Sequence, residues 1–268
     1  MSPFAIPTIL ALDRTHEAVA RVDGYYLSRL AFTRPKNSED PRPLPDEFRN
    51  SRKLPGGDYD EPTVPYFAGS CFDTLEPENN TWDQITSSDL AALSLLSVPV
   101  GSDALVEFLH RRKDRISELL RAIPEDAVLW APEDSPDDGR AEAMYPTLMA
   151  HRETPGWQLW NLRSGIDEGG RKVGFGPTRV SKLLHRKRPH LFPIWDSKVG
   201  EAVGAANSRR FWADLERALR ENRLHEQLTT IRERSTHGKD LSLLRVFDVA
   251  VWHAQKYSSG WEPERTES

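Results

Sequence analysis

The sequence predicts an all-α protein built as a two-lobed helical bundle. Three observations carry that prediction. Apolar residues recur at three- and four-residue intervals in nearly every patterned segment. No segment alternates with period two for long enough to make a strand. The patterned segments also begin at cap residues or prolines, the types that supply or dispense with the unpaired N–H groups of a first helical turn.

The first helix is "THEAVARVDGYYLSRLAF", with Ala18, Val22, Tyr25, Tyr26 and Leu30 on one side and Thr15 as its cap. Residues 34–65 then carry seven prolines and mixed charge, which predicts a mobile loop rather than a packed element. "ITSSDLAALSLLSV" reads as a buried helix capped by Ser87 or Ser88. "SDALVEFLHRRKDRISELLRAI" reads as one amphipathic helix through Leu105, Phe108, Leu109, Ile116, Leu119 and Leu120. The acidic turn "APEDSPDDGR" separates an N-terminal lobe (1–131) from a C-terminal lobe (140–256), and a disordered tail (257–268) comes after them. The second lobe holds "TPGWQLWNLRSGI", a glycine turn with its helix, a short helix after Asp196, "SRRFWADLERALREN", "LHEQLTTIRERS" and "DLSLLRVFDVAVWHAQK".

Composition narrows the function classes. A single cysteine, Cys71, excludes an intramolecular disulfide or a cysteine-ligated cluster and points to a reducing, cytoplasmic setting. No apolar run approaches membrane-spanning length, so no membrane partner is expected. The net charge is −5, unevenly spread: residues 1–150 carry −11 and residues 151–268 carry +6. Between Gly169 and Trp195 there are seven Lys or Arg and no acid. Such a run is either a solvated helix face or a basic surface for a polyanion, because screening makes local charge decisive.

The segment "KVGFGPTRVSKLLHRKRPHLFPIWDSKVG" is the most informative in the chain. Gly174 and Gly176 would permit positive φ and a close phosphate approach, with Phe175 between them turned inward as an anchor. Pro177 suits a first helical turn, where its missing N–H costs nothing. The unpaired N–H groups there make an anion site, with Thr178, Arg179 and Lys182 near the phosphates and Lys198 as a further contact. A glycine-rich helix–helix turn with no ligand is the plainer reading of the short pattern.

These residues resemble the second half of the helix-hairpin-helix motif, with Val180 where alanine is usual. In helix-hairpin-helix DNA glycosylases a catalytic aspartate stands about twenty residues beyond the hairpin, at the start of the next helix. Asp196 stands twenty residues after Gly176. The resemblance covers residues 155–205 and implies DNA as partner, a flipped base, Asp196 as the catalytic group and no required cofactor. A monovalent cation held by the hairpin carbonyls would also be in keeping with it. A plain N-cap role for Asp196 is the competing reading, and the two are compatible. Lyase-type members carry a lysine two residues after the second hairpin glycine; Thr178 stands there, which implies a monofunctional enzyme. A wider pattern of "FDTL", "ITSSDLAALSLLSV", the hairpin segment, "FW" and "LLRVFDVAVW" is similar to an uncharacterised bacterial family.

Breaking an N-glycosidic bond passes through a cationic sugar, so a carboxyl group set among apolar residues is the chemistry needed. The base must leave the stack, and Trp160, Trp195, Phe67 and Phe72 are the aromatics available to receive it, against their ordinary role as core. Asp248, on a largely apolar helix, reads as the partner of an arginine such as Arg245. Asp73 reads as a turn or cap residue first, and as a pocket-lining residue second. His185 and His190, in the basic run, read as phosphate or solvent contacts, and the histidines lack metal-ligand spacing.

Overall fold

A computed structural model describes residues 4–32, 68–130, 151–162, 175–205, 208, 210–221 and 223–257. The proline-rich stretch 34–65, Phe67, Gly174 and the tail beyond Tyr257 lie outside the described residues. Within them the chain forms ten α-helices and no strand, which agrees with the all-α prediction.

The helices are α1 (Thr15–Phe32), α2 (Ser87–Leu95), α3 (Ser102–Val106), α4 (Lys113–Arg121), α5 (Pro155–Asn161), α6 (Pro177–Lys187), α7 (Ser197–Ala202), α8 (Phe211–Glu221), α9 (Leu224–Arg234) and α10 (Leu243–Lys256). Short 3₁₀ turns precede α1 and occupy Ala68–Cys71 and Pro77–Asn79. Helix α10 is the pivot of the packing. It is buried along most of its length, Arg245 and Asp248 included, and packs on α1, α7 and α9 at once. Helix α6 packs on α2 and α5, and α4 packs on α5. Because α1 lies against α9 and α10, the start of the chain sits among its last helices, across the sequence division expected near residues 131–140. One continuous apolar core runs from Ile9 through Phe72, Leu120, Leu184 and Phe192 to Val251.

Three local expectations change. Thr15 does not cap α1: it is itself helical, with φ −51° and ψ −43°, and its hydroxyl donates to the Leu12 carbonyl at 2.8 Å. The cap of α2 is Thr86, not Ser87 or Ser88. Its hydroxyl accepts from the Asp89 N–H, and Asp89 Oδ2 accepts from the Thr86 N–H at 2.7 Å, a reciprocal capping box. The segment 102–123 is not one amphipathic helix: Glu107–Arg111 is π-helical and separates α3 from α4. The extra residue of a π turn rotates the helix C-terminal to it about the axis. Glu107 and Phe108, at the start of that turn, face inward, while Leu105 and Val106 just before it face solvent. Buried Glu107 is paired by Arg111 and Arg112 at 2.8 and 3.0 Å.

Candidate functional site

The glycine turn opens α6 as its residue types require. Gly176 is the N-cap, with φ −78° and ψ 179°, and Pro177 occupies the first turn. That backbone is ordinary extended chain, so Gly176 does not use the positive φ expected of it. What it does provide is room: a Cβ there would meet nothing within 4 Å. Phe175 is buried and its ring packs on Phe108 of the π turn, centroids 4.3 Å apart. The π segment thus anchors the glycine turn from behind.

Asp196 is set on α6 by Ser181. Its hydroxyl accepts from the Trp195 N–H at 3.1 Å and lies 3.1 Å from the carbonyls of Thr178 and Trp195. Asp196 then caps α7, its Oδ1 accepting from the N–H groups of Lys198 and Val199 at 3.0 Å each. Oδ2 lies 3.7 Å from Lys182 Nζ, which also donates to the Leu96 carbonyl at 3.3 Å. Burial pulls the Lys182 amine below its ordinary value, with Asp196 opposing. Asp248 lies close enough to respond to both: burial pushes its carboxyl up to about 6, Arg245 opposes, and the Asp196 charge adds to the rise.

Behind this pair is a buried network centred on Arg245. Its Nε donates to Asp73 Oδ2 at 2.9 Å, one Nη donates to Asp248, and the other to the Gly69 carbonyl at 3.0 Å and the Tyr25 hydroxyl at 3.5 Å. Tyr26 donates to the same Asp73 oxygen at 3.1 Å. Burial alone would raise Asp73; Arg245 and His185 outweigh it and leave the carboxyl below its ordinary value. The Arg245–Asp248 pairing is the one expected from the sequence. Asp73 lies in a turn, as expected, and is also an ion-pair partner of Arg245.

The basic run is where sequence and structure part most clearly. Of its seven cations, Lys182, Arg186, Lys187 and Arg188 are buried. Arg186 meets Asp89 Oδ1 at 2.9 Å and the carbonyls of Phe72 and Leu75. Lys187 meets Asp89, Asn80 Oδ1 at 2.8 Å and the Thr81 carbonyl at 2.9 Å. Arg188 directs five hydrogen bonds to the carbonyls of Ile123, Leu120, Trp82 and Lys187. These side chains tie the 72–82 and 120–123 segments to α6, so they are not a phosphate-binding face. His185 is also wholly buried, contrary to the contact with phosphate or solvent expected of it, whereas His190 is exposed.

Of the other residues singled out, Thr178 and Arg179 are partly exposed on the first turn of α6, and Arg179 Nε donates to the Pro99 carbonyl at 3.0 Å. Lys198 is exposed and pairs with Glu201 at 3.2 Å. Trp160 and Phe72 are buried in the core, Trp160 edge-on to Trp212 at 4.3 Å. Trp195 is half-buried beside Asp196. A cleft of about 760 Å³ opens elsewhere, lined by Asp73, Asn80, Trp82, Glu125, His185 and Lys187 among others, and Asp196 does not line it.

The cluster of Asp89 with Arg186 and Lys187, the Arg188 clamp and the Ser181 clasp have no counterpart in the sequence reading. Only Thr86-x-x-Asp89 carried a local signal, as a capping box.

Residues 57–255, most of the chain, match the model of one family. The chain belongs to a family of unknown function, DUF6308. This agrees with the resemblance to an uncharacterised family. No curated protein and no solved structure matches this DUF6308 chain. Among the described residues no group of three or more His, Cys, Asp or Glu is placed to hold a metal ion, and no helix is long and apolar enough to cross a membrane.

Proposed function

We propose that this protein acts on DNA as a monofunctional N-glycosylase, with Asp196 as the catalytic group. The observation that carries the reading is the join between two features. The N-terminus of α6 is open at Gly176, and Asp196 is clasped by Ser181 to the same helix, roughly 7 Å further along its axis. A phosphate bound by the N–H groups at Gly176, Thr178 and Arg179 would place its nucleoside near that carboxyl. Trp195 is the aromatic neighbour for an extruded base. Phe192, Pro193 and Ile194, buried just before it in the chain, would keep water away and strengthen the field of the acid on a cationic sugar. Lys198 is the outlying phosphate contact, and a monovalent cation at the hairpin carbonyls belongs to the same proposal. Because Lys182, Arg186, Lys187 and Arg188 are turned inward, the proposal rests on the helix terminus and the acid, not on a basic surface.

One observation favours a second reading, a DNA-binding module without catalysis. Asp196 Oδ1 is already used by two amides and Oδ2 faces Lys182, which is the arrangement of a structural cap.

A panel of modified-base oligonucleotides, incubated with the protein and then cleaved with alkali, separates the two. Abasic sites that vanish in Asp196→Asn, with DNA affinity kept, support the glycosylase. Salt-dependent binding without product across the panel supports the module. Absence of salt-dependent DNA binding ends both.

A further inference from the structure

The cleft of about 760 Å³ carries a feature that the proposed DNA chemistry does not use. Two of its lining residues, His185 and Asp73, turn hydrogen-bond acceptors toward each other. His185 is fully buried in α6, and its Nδ1 lies 2.7 Å from the Phe192 carbonyl, an oxygen that can only accept. Nδ1 therefore carries the proton. Burial, against the raising pull of Asp73, brings the imidazole down to about 4, so at neutral pH the ring is uncharged and Nε2 presents a lone pair. Nε2 is buried and has no hydrogen-bond partner. It lies 4.0 Å from Asp73 Oδ1, while Asp73 Oδ2 is the oxygen used by Arg245 and Tyr26.

Two acceptors 4.0 Å apart do not bond to each other. A single donor atom at ordinary hydrogen-bond distance from both would subtend an angle of roughly 90°, which suits a tetrahedral nitrogen with two or more hydrogens. The cations on the cleft wall do not fill that role, since every nitrogen of Arg186 and Lys187 is engaged by Asp89 or by carbonyl and amide oxygens. At the mouth, Glu125 and Trp82 are exposed, the indole 41% accessible, and offer a carboxylate and an aromatic surface to the body of a ligand.

We propose that this cleft is a binding site for the protonated amino group of a small primary amine, bridged between His185 Nε2 and Asp73 Oδ1. An ammonium supplies the donors both acceptors lack and the charge that Asp73 attracts. A quaternary ammonium has the charge but no N–H. A carboxylate ligand would meet acceptors with acceptors. The converging groups are too few for a metal ion. The site is independent of Asp196 and of any action on DNA.

The test uses the full-length protein labelled with ¹⁵N and titrated with phenethylamine, N,N,N-trimethylphenethylammonium and phenylpropionate. Calorimetry reads affinity, and imidazole ¹⁵N spectra track the His185 Nε2 resonance, assigned through the ring and backbone. The expected result is saturable binding of phenethylamine that moves the Nε2 resonance. The trimethyl analogue should bind about tenfold or more weakly, as loss of charge-assisted hydrogen bonds requires. His185→Phe, which keeps the ring volume, should lose a similar factor, and Trp82→Ala, an exposed rim change, a smaller one. Should His185→Phe fail to fold, the comparison of the two amines and the wild-type resonance still decide. No saturable amine binding means that an ordered water alone bridges the two acceptors, and that overturns the proposal. Equal affinity for the trimethyl analogue, or binding that leaves the Nε2 resonance in place, overturns it as well.

Discussion

Replacing Asp89 by alanine gives the sharpest test of how the helical core is held. Asp89 is wholly buried, and its carboxyl is shared by Arg186, Lys187, the Thr86 N–H and the Thr86 hydroxyl. Removing it leaves two cations inside the protein, both with side chains almost without exposure. Breaking a buried ion pair by deleting one partner costs about 3–5 kcal/mol, because the survivor keeps its desolvation penalty. Arg186 and Lys187 retain carbonyl partners, which places the ion-pair loss at the low end, near 3 kcal/mol. Loss of the capping box adds about 1 kcal/mol. A total loss of roughly 4 kcal/mol is expected, read from the midpoint of urea unfolding at unchanged slope. Asp89→Leu combined with Lys187→Met should be less destabilising than Asp89→Ala alone, since it removes a cation together with its counter-ion. A loss below about 1 kcal/mol for Asp89→Ala would refute the view that this carboxyl neutralises the inward-turned basic run.

Stability should fall on acidification. Burial brings His185 to about 4 and His253 to about 3, from 6.5 when unfolded, so below pH 6.5 the unfolded chain binds protons that the folded one refuses. Asp248, raised by burial from 3.8 to about 6, works oppositely and offsets part of this, leaving a net loss of about 2–3 kcal/mol between pH 7 and pH 5. A urea midpoint that is unchanged or higher at pH 5 contradicts the assignment. Gly69→Ala should destabilise by about 2 kcal/mol, since its Cβ would fall 2.0 Å from the Tyr25 hydroxyl, and thermal melting checks this. Gly176→Ala has open space around it and should change stability by less than about 1 kcal/mol. Its DNA affinity should nonetheless drop, and an unchanged affinity would show that the turn does not hold phosphate. Asp196→Ala should lose about 1 kcal/mol with the cap of α7, whereas Asp196→Asn should keep most of it, as compared by chemical unfolding.

Local grammar was legible in the sequence wherever neighbours along the chain settle the outcome. The bounds of α1, the proline start of α6, the inward Phe175 and the cap position of Asp196 come from spacing and from which backbone groups a first turn leaves unpaired. The pairing of Asp248 with Arg245, three residues before it on one helix, was legible for the same reason. The break inside 102–123 was not, because a π turn is a response to packing, here that of Phe108 against Phe175 far along the chain.

By itself the sequence determined most of the helices, the cap at Asp196 and the register of glycine, basic run and aspartate. Tertiary structure alone decided which way His185, Arg186, Lys187 and Arg188 face. A cation is driven outward by its hydration unless an acid or several carbonyls come to meet it. For the three cations those partners arrive from Asp89 and the carbonyls of residues 72–123, far away in the chain. Burial of a charge is therefore a property of the assembled fold, and no period or spacing within the run records it.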